Sequence, residues 1–300
     1  MTPYSYQRPQ ALADVIAARG QAADTFLLAG GTDLIAQMKS GQRRPAHVVD
    51  VKAVPEMSQI QEIGDGGLEI GAAVSATKLA ARPDIAQLHP GLHDAVQLIG
   101  SHQIQNRASL GGNICNAAPS ADAVPPLIVD RARVRIGGPA GEREIAIEDV
   151  FDSPGRTTLT TDEVLISIIL PPPLDESVDA AAVSSSAYLR FTPRREMDIA
   201  IAGAAVRLVI GGDGSIKWAR VALASVAPVP LRAAKTEAVL ADAPLTASTL
   251  ALAGEAARED AMPISDTRAS ADYRRDLSDV LVRRAIAIAA DRAGHTIAST

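Results

Sequence analysis

The chain has 300 residues, of which 47% are hydrophobic, 21% charged and only 3% aromatic, and its formal net charge at pH 7 is −6. That length allows two domains or one large domain with subdivisions, whereas the acidic balance and the shortage of aromatic rings argue against a nucleic-acid surface that tracks phosphates or stacks bases. One cysteine, Cys115, excludes an internal disulfide, an iron–sulfur cluster and a four-cysteine zinc site within this chain, and it fits a reducing compartment.

The first ten residues, MTPYSYQRPQ, lack the basic region and apolar stretch of a secretory signal, and no run of about 18 apolar residues suggests a membrane span, so a cytoplasmic protein is expected. Residues 10–19, QALADVIAAR, have the apolar spacing of a short amphipathic helix, which Gly20 is placed to end. Thr25–Leu28 is a short apolar strand running into Gly30 and Gly31. Helical spacing resumes at Leu34 in LIAQMKSG, with Gly41 as its stop, and a further strand is expected at His47–Val51. From Ile60, IQEIGDGGLEIGAAV reads as two strands around a turn at Gly64–Gly67. Helical spacing returns at Ala76–Ala81 and in GLHDAVQLIGS. After a second Gly-Gly segment, VPPLIVDRARVRIGGPAGEREIAIEDV ends in a hairpin around Gly137–Gly141, and DEVLISIILPPP is a strand closed by Pro171–Pro173. Those prolines and the following LDESVDAAAVSSS mark a composition shift and place a domain boundary near residues 172–180. Beyond it, IAGAAVRLVIGGDGSIKWARVALASVAP is a strand, a Gly-Asp-Gly turn and a second strand. From Thr236 the chain is mostly helical, closing with the amphipathic DLSDVLVRRAIAIAADRA, which makes this half α+β.

Two stretches carry the chemistry: Phe26–Leu34, FLLAGGTDL, and Ser109–Asp122, SLGGNICNAAPSAD. Each sets a Gly-Gly pair before small polar residues, and successive amides in a glycine turn that leads into a helix form a concave set of N–H donors suited to phosphate oxygens. The first matches neither the Walker pattern nor the G-x-G-x-x-G dinucleotide fingerprint. A Gly-Gly pair by itself is most often just a turn. Two such segments together point to a ligand held from two sides, with Thr32, Asp33, Ser109 and Asn113 offering side-chain hydrogen bonds and Asp122 placed to accept from ribose or ribityl hydroxyls.

Other polar residues have plainer readings. Cys115 is expected to pack within its segment, with no histidine near it in sequence. His89 and His93 have metal-like i, i+4 spacing, but Pro90 and Gly91 lie between them, so solvated loop histidines are expected. His102, beside the second segment, is a candidate to face the ligand. RREMD, Arg194–Asp198, is either a surface charge cluster or part of the site. Arg274, Arg275, Arg283 and Arg284 are expected on a solvated or subunit-facing helix face.

AGGTDL, taken with QIQNRASLGGNICNAAPSADAVPPL, resembles the two flavin-adenine-dinucleotide signatures of the medium, flavoprotein subunit of molybdenum hydroxylases. That group includes the carbon monoxide dehydrogenase medium subunit, the flavin domain of xanthine dehydrogenase, and relatives acting on N-heterocycles and aldehydes. The resemblance continues through EVLISIILP, YLRFTPRREMDIAIAGAAVRL and SDTRASADYRRDLSDVLVRRA, so it covers nearly the whole chain. It implies an α+β fold: a vanillyl-alcohol-oxidase-type FAD-binding domain of two α/β subdomains, about 1–55 and 56–175, followed by a C-terminal α+β domain at 176–300 with a small antiparallel sheet and helices. It implies FAD as cofactor, with Ala29, Gly30, Gly31, Thr32 and Asp33 on one side of the pyrophosphate and Ser109, Leu110, Gly111, Gly112 and Asn113 on the other. Asp122 would lie near the ribityl or ribose hydroxyls, Leu165 against the isoalloxazine, Arg190 near the ring carbonyls, and Met197 or Asp198 at the ring edge.

This sequence departs from the family's pattern in places. Gln105 stands where relatives commonly have arginine, with Arg107 close by, so one polar contact differs. Thr32 and Asp33 stand where the carbon monoxide enzyme has histidine and serine, which slightly disfavours carbon monoxide as substrate. The four-cysteine cluster of relatives that reduce aromatic thioesters is absent. The implied function is an electron-transfer subunit of a heterotrimer. A large subunit would hold the molybdenum cofactor and a small subunit the 2Fe-2S clusters, and this chain's FAD would pass electrons to an external acceptor during hydroxylation of an N-heterocycle or aldehyde-type substrate. A dimer of heterotrimers is implied as well. The alternatives are a flavin-free scaffold subunit and a stand-alone flavin oxidase of the vanillyl-alcohol type.

Overall fold

A computed structural model of the chain describes residues 2–174 and 181–298. The first layer is built from β1 (Ser5–Gln7), α1 (Leu12–Gln21), β2 (Thr25–Leu28), α2 (Leu34–Ser40) and β3 (His47–Asp50), with the strands parallel in the order β1-β3-β2. Gly20 lies inside α1 and does not end it, a placement that costs a helix about 1 kcal/mol. The Arg19 guanidinium donates to the Thr25 carbonyl and so ties the end of α1 to the start of β2. Helix α2 stops where expected: Gly41 takes a left-handed conformation, φ 76°, and its N–H donates to the Met38 carbonyl.

A five-stranded antiparallel sheet follows, made of β4 (Ile60–Ile63), β5 (Gly67–Gly71), β6 (Arg133–Gly138), β7 (Gly141–Ala146) and, further along the chain, β10 (Val164–Leu170), in the order β4-β5-β10-β6-β7. Strand β10 occupies the centre because VLISIIL has apolar residues for both covered faces, and the prolines at 171–173 stop it. Short helices precede and interrupt this sheet: α3 (Pro55–Ser58), α4 (Ala76–Ala80), α5 (Pro83–Leu88), α6 (Pro90–Leu98), α7 (His102–Gln105), α8 (Leu110–Cys115) and α9 (Val124–Val129). A small hairpin, β8 (Phe151–Ser153) with β9 (Arg156–Thr157), lies before β10. Every residue of α9 is buried, its two prolines sitting in the first turn where a missing N–H is no loss.

The expectation of solvated loop histidines at 89 and 93 is overturned. Pro90 is the first residue of α6, so the proline starts a helix there and does not break one. His89 is 1% exposed and its Nδ1 lies 2.8 Å from Asp130, while His93 is half-buried with its Nε2 3.2 Å from the Ala80 carbonyl.

The third sheet is antiparallel, with β11 (Val183–Phe191), β12 (Ala202–Ile210), β13 (Ile216–Ala224) and β14 (Leu231–Arg232) in that order, followed by α10 (Ala234–Leu240), α11 (Ala247–Asp260) and α12 (Ala271–Arg292). Strand β12 is buried throughout because both its faces are covered. Ala202, Ala204, Val206, Leu208 and Ile210 face a core shared with α11 and α12, whereas Ala205 belongs to the N-terminal core and the sheet packs on α9 on that side. Arg207, on that second face and 1% exposed, donates to Asp130 at 2.8 Å, to Ser184 Oγ at 2.8 Å and to the Leu88 carbonyl at 2.9 Å. Burial pushes the Asp130 carboxyl up, but Arg207 and His89 outweigh it and hold the group below its ordinary range.

The same network explains why β11 escapes a periodicity reading. Ser184 and Ser186 are polar residues aimed at a buried guanidinium, so alternation with water-facing residues is lost. The expected domain boundary between residues 175 and 176 lies outside the described residues. No helix among the described residues is long and apolar enough to cross a membrane.

Of the arginines expected on a solvated or subunit-facing helix face, Arg275 pairs with Asp272 and Arg283 with Asp279 along α12. Arg274 does not belong with them. It is 5% exposed because α12 packs that side against β11 and β12.

Candidate functional site: a cavity between two glycine segments

A cavity of about 700 Å³ opens between the β2–α2 turn, the segment around α8 and the start of β10, a size that suits a large small-molecule ligand. Its wall includes Ala29–Asp33 from the first glycine segment and Ser109, Gly111, Gly112, Asn113 and Asp122 from the second. Leu165 contributes from β10, and Met197, Asp198 and Ile199 from the loop between β11 and β12. The tertiary structure therefore brings both segments to one space.

The four glycines are there for different reasons. A Cβ on Gly30 would collide with the carbonyl oxygen of Arg107, so this position is bare because the two segments' backbones touch. A Cβ on Gly111 would fall within 2.5 Å of Ala72 Cβ, and the Gly111 N–H donates to the Ala72 carbonyl at 3.0 Å. Gly31 has φ +77°, the left-handed region that favours glycine, and its added Cβ would press on Leu28 Cδ1 at 2.8 Å. Gly112 is the least crowded of the four: outside its own helix backbone a Cβ there meets only Ser109 Oγ, a tight contact at 3.2 Å.

The donors also differ between the segments. The amides of Gly31, Thr32 and Asp33 have no hydrogen-bond partner among the described residues, whereas the second segment uses its own: Gly112 N–H donates to Ser109 Oγ and Asn113 N–H to the Ser109 carbonyl. Unpaired backbone donors facing a cavity are costly unless water or a ligand accepts from them. Gln37 Nε2 reaches Asn116 Oδ1 at 3.1 Å and joins the two segments across the cavity wall.

Asp122, 8% exposed, accepts from the Tyr188 hydroxyl at 2.8 Å through one oxygen and from Arg190 through the other. Burial outweighs these two partners and pushes its pKa up to about 6. Burial and the adjacent Asp122 carboxylate raise the Tyr188 hydroxyl well above its ordinary value, leaving it a fixed donor. Arg190 does not line the cavity but stands behind Asp122, its side chain 6% exposed. Leu110 is likewise off the wall, 1% exposed in the core. Asp198 lines the edge, accepting from the Arg194 N–H at 3.1 Å, and Met197 beside it has φ 55°.

His102 and Arg107 are exposed and do not line the cavity, and Gln105 is buried with its amide donating to the Gln97 carbonyl at 2.8 Å. Cys115 does line it. Its thiol is open to the cavity yet enclosed by protein, and that enclosure pushes it up to about 11 against a smaller opposing effect of Arg19. The upward shift disfavours the thiolate, and Cys115 serves here as a wall group. The sequence reading passed over Arg19, Thr25 and Gln37, which also line the cavity; Thr25 Oγ1 is buried there without a partner among the described residues. No local pattern marks them, since each reaches the wall only through how α1, β2 and α2 pack.

Unpaired glycine-turn amides, a buried carboxylate and an apolar wall on one cavity suit a protein that encloses a phosphate-bearing organic cofactor. Residues 2–173 match the family described as the FAD binding domain in molybdopterin dehydrogenase, and residues 187–289 that described as the CO dehydrogenase flavoprotein C-terminal domain. The chain is 35% identical to the putative xanthine dehydrogenase FAD-binding subunit of Escherichia coli (strain K12) over 97% of each chain. It is 30% identical to the carbon monoxide dehydrogenase medium chain of Hydrogenophaga pseudoflava, over 94% of this chain and 96% of that one. The solved carbon monoxide dehydrogenase of the same organism, in a form lacking the Mo-pyranopterin moiety, contains a chain that superposes with a TM-score of 0.90 at 31% identity, covering 97% of this chain and 99% of that one. The protein belongs to the family of FAD-binding subunits of molybdenum hydroxylases, the oxidoreductases that include xanthine and carbon monoxide dehydrogenases.

Proposed function

We propose that this chain holds FAD in the cavity between its glycine segments and serves, in the cytoplasm, as the electron-transfer subunit of a three-subunit molybdenum hydroxylase. The observation that supports this most directly is the set of amides at Gly31, Thr32 and Asp33, unpaired among the described residues and lining the same cavity as Gly112. Pyrophosphate oxygens are strong acceptors, and these donors stand fixed at a glycine turn. Ala29 and Gly30 shape that turn, while Ser109, Leu110, Gly111 and Asn113 hold the second segment in place. Asp122, fixed by Tyr188 and Arg190, keeps lone pairs free to accept from cofactor hydroxyls. Leu165 provides an apolar wall for the ring, and Asp198 a carboxylate at its edge.

When bound, the flavin supplies a centre able to take up single electrons and release one or two. The chain's own work is to bind it, orient it and shield one face from water. In the assembly proposed here, electrons come from 2Fe-2S clusters in a small subunit, after hydroxylation of an N-heterocycle or aldehyde-type substrate at the molybdenum cofactor of a large subunit. They leave to an external acceptor, and the whole is a dimer of heterotrimers. We assign residues 1–175, with subdomains of about 1–55 and 56–175, to cofactor binding and 176–300 to the C-terminal domain. The separate apolar core behind β12 supports that division.

The test is the visible spectrum of the purified chain, followed by identification of the released chromophore. Stoichiometric FAD supports the reading, whereas a colourless chain that fails to take up added FAD favours a scaffold subunit. Leu165→Ala, at a position 3% exposed, is expected to cost about 2–5 kcal/mol of stability and to shift the flavin's reduction potential with FAD still bound. Potentiometric titration of the variant checks this, and an unchanged potential removes Leu165 from the ring wall.

A further inference from the structure

We propose that Arg274, on α12 and outside the cavity, is a positioning residue that fixes the cavity's C-terminal lip, residues 197–199, against the second glycine segment; this rests on the reading that FAD occupies the cavity. Its guanidinium joins three stretches of chain. Arg274 Nη1 donates to the Ile201 carbonyl at 2.7 Å and to the Ser225 carbonyl at 2.9 Å, and Nη2 donates to both Asp266 oxygens at 2.8 Å.

Two routes lead from these bonds to the cavity. Ile201 closes the loop that carries Met197, Asp198 and Ile199, its N–H donating to the Phe191 carbonyl at 2.8 Å, so holding the Ile201 carbonyl holds one foot of the lip. Ser225 has φ 65°, a left-handed conformation unfavourable for a non-glycine residue, and in it the Ser225 N–H donates to the Pro119 carbonyl at 2.8 Å. Pro119 lies between Ala118 and Ser120, both on the cavity wall. One side chain thus sets the lip and the end of the second segment relative to each other.

Asp266 fixes the guanidinium in turn. It also accepts from the Arg268 N–H at 2.8 Å and the Ala269 N–H at 3.1 Å, and those amides with Arg274 hold its carboxyl down at about 2, so the pair stays ionised. The buried Arg274 Nε has no partner among the described residues, which leaves the two Nη atoms as the anchors. Lysine offers one nitrogen and no planar fork, and cannot span both carbonyls and the carboxylate in this arrangement.

The experiment compares the full chain with Arg274→Met, Arg274→Lys and Asp266→Asn for FAD affinity, by recovery of flavin fluorescence, and for visible circular dichroism of the bound flavin, alongside melting of each apoprotein. Arg274→Met is expected to raise the FAD Kd on the order of tenfold or more and to alter the visible dichroism, with Arg274→Lys between it and the parent. Asp266→Asn is expected to shift both in the same direction by less. Parent-like Kd and dichroism in folded Arg274→Met overturn the proposal, even if its melting temperature falls, because a merely structural role moves only the melt. Where Arg274→Met does not fold, Asp266→Asn decides in the same way. A parent chain that binds no FAD overturns the cofactor reading, and this proposal with it.

Discussion

Gly112→Val yields a folded chain that is purified without FAD. A Cβ at Gly112 presses on Ser109 Oγ at 3.2 Å, the oxygen that caps α8, so the protein gives up part of that cap while the ligand loses its room. Gly112 lies inside α8, where valine is at least as favourable as glycine, so the apoprotein is expected to lose no more than the cap's contribution of about 1 kcal/mol. Crowding of this kind costs roughly 1–3 kcal/mol, or about ten- to a hundredfold in affinity, before any displacement of the pyrophosphate is added. Gly31→Val also loses FAD, for another reason: a β-branched residue at φ +77° that also presses on Leu28 is strained by about 2 kcal/mol or more, and the apoprotein melts lower. Bound flavin measured against apoprotein melting separates the two. Full FAD occupancy in Gly112→Val would remove the second segment from the cofactor site.

The other large effect is expected at Asp130. Asp130→Ala leaves the fully buried Arg207 without its carboxylate, and losing one partner of a buried pair costs about 3–5 kcal/mol. Replacing both, Asp130→Leu with Arg207→Leu, should recover part of that loss, because the buried guanidinium goes with its carboxylate while His89 Nδ1 still lacks its acceptor. Urea denaturation of the single and double variants makes the comparison, and a single variant within about 1 kcal/mol of the parent would show the network to be dispensable. The pH dependence has a definite sign. The folded-state pKa of Asp130 is depressed, so its contribution is fully present above the unfolded value of about 4 and is lost as pH falls through the folded value. The double variant should lack this acid-sensitive part.

Local chemistry was legible in the sequence wherever a short stretch contains its own cause. The turn after β2, the stop at Gly41, the hairpin at Gly137–Gly141 and the end of β10 before three prolines each depend on residues close together in the chain. The two signatures also identified the family, because their residue types recur in fixed order along nearly the whole length. Periodicity failed at β11, whose serines serve the Arg207 guanidinium and not water, and at His89, where a proline that seemed to break a helix begins one.

By itself the sequence determined which backbone stretches are bare, which family carries them and which cofactor that family holds. Tertiary structure decided what each bare position is for. Gly30 is needed because Arg107 passes against it and Gly111 because Ala72 does, while Gly112 is the one that no distant segment crowds. Those contacts join segments far apart in the chain, and the conformational cost of bringing them together is met by the core as a whole and not by either segment. Arg274 follows the same rule: a solvated helix arginine and a buried three-way clasp look alike in sequence, and only the packing of α12 against β11 and β12 distinguishes them.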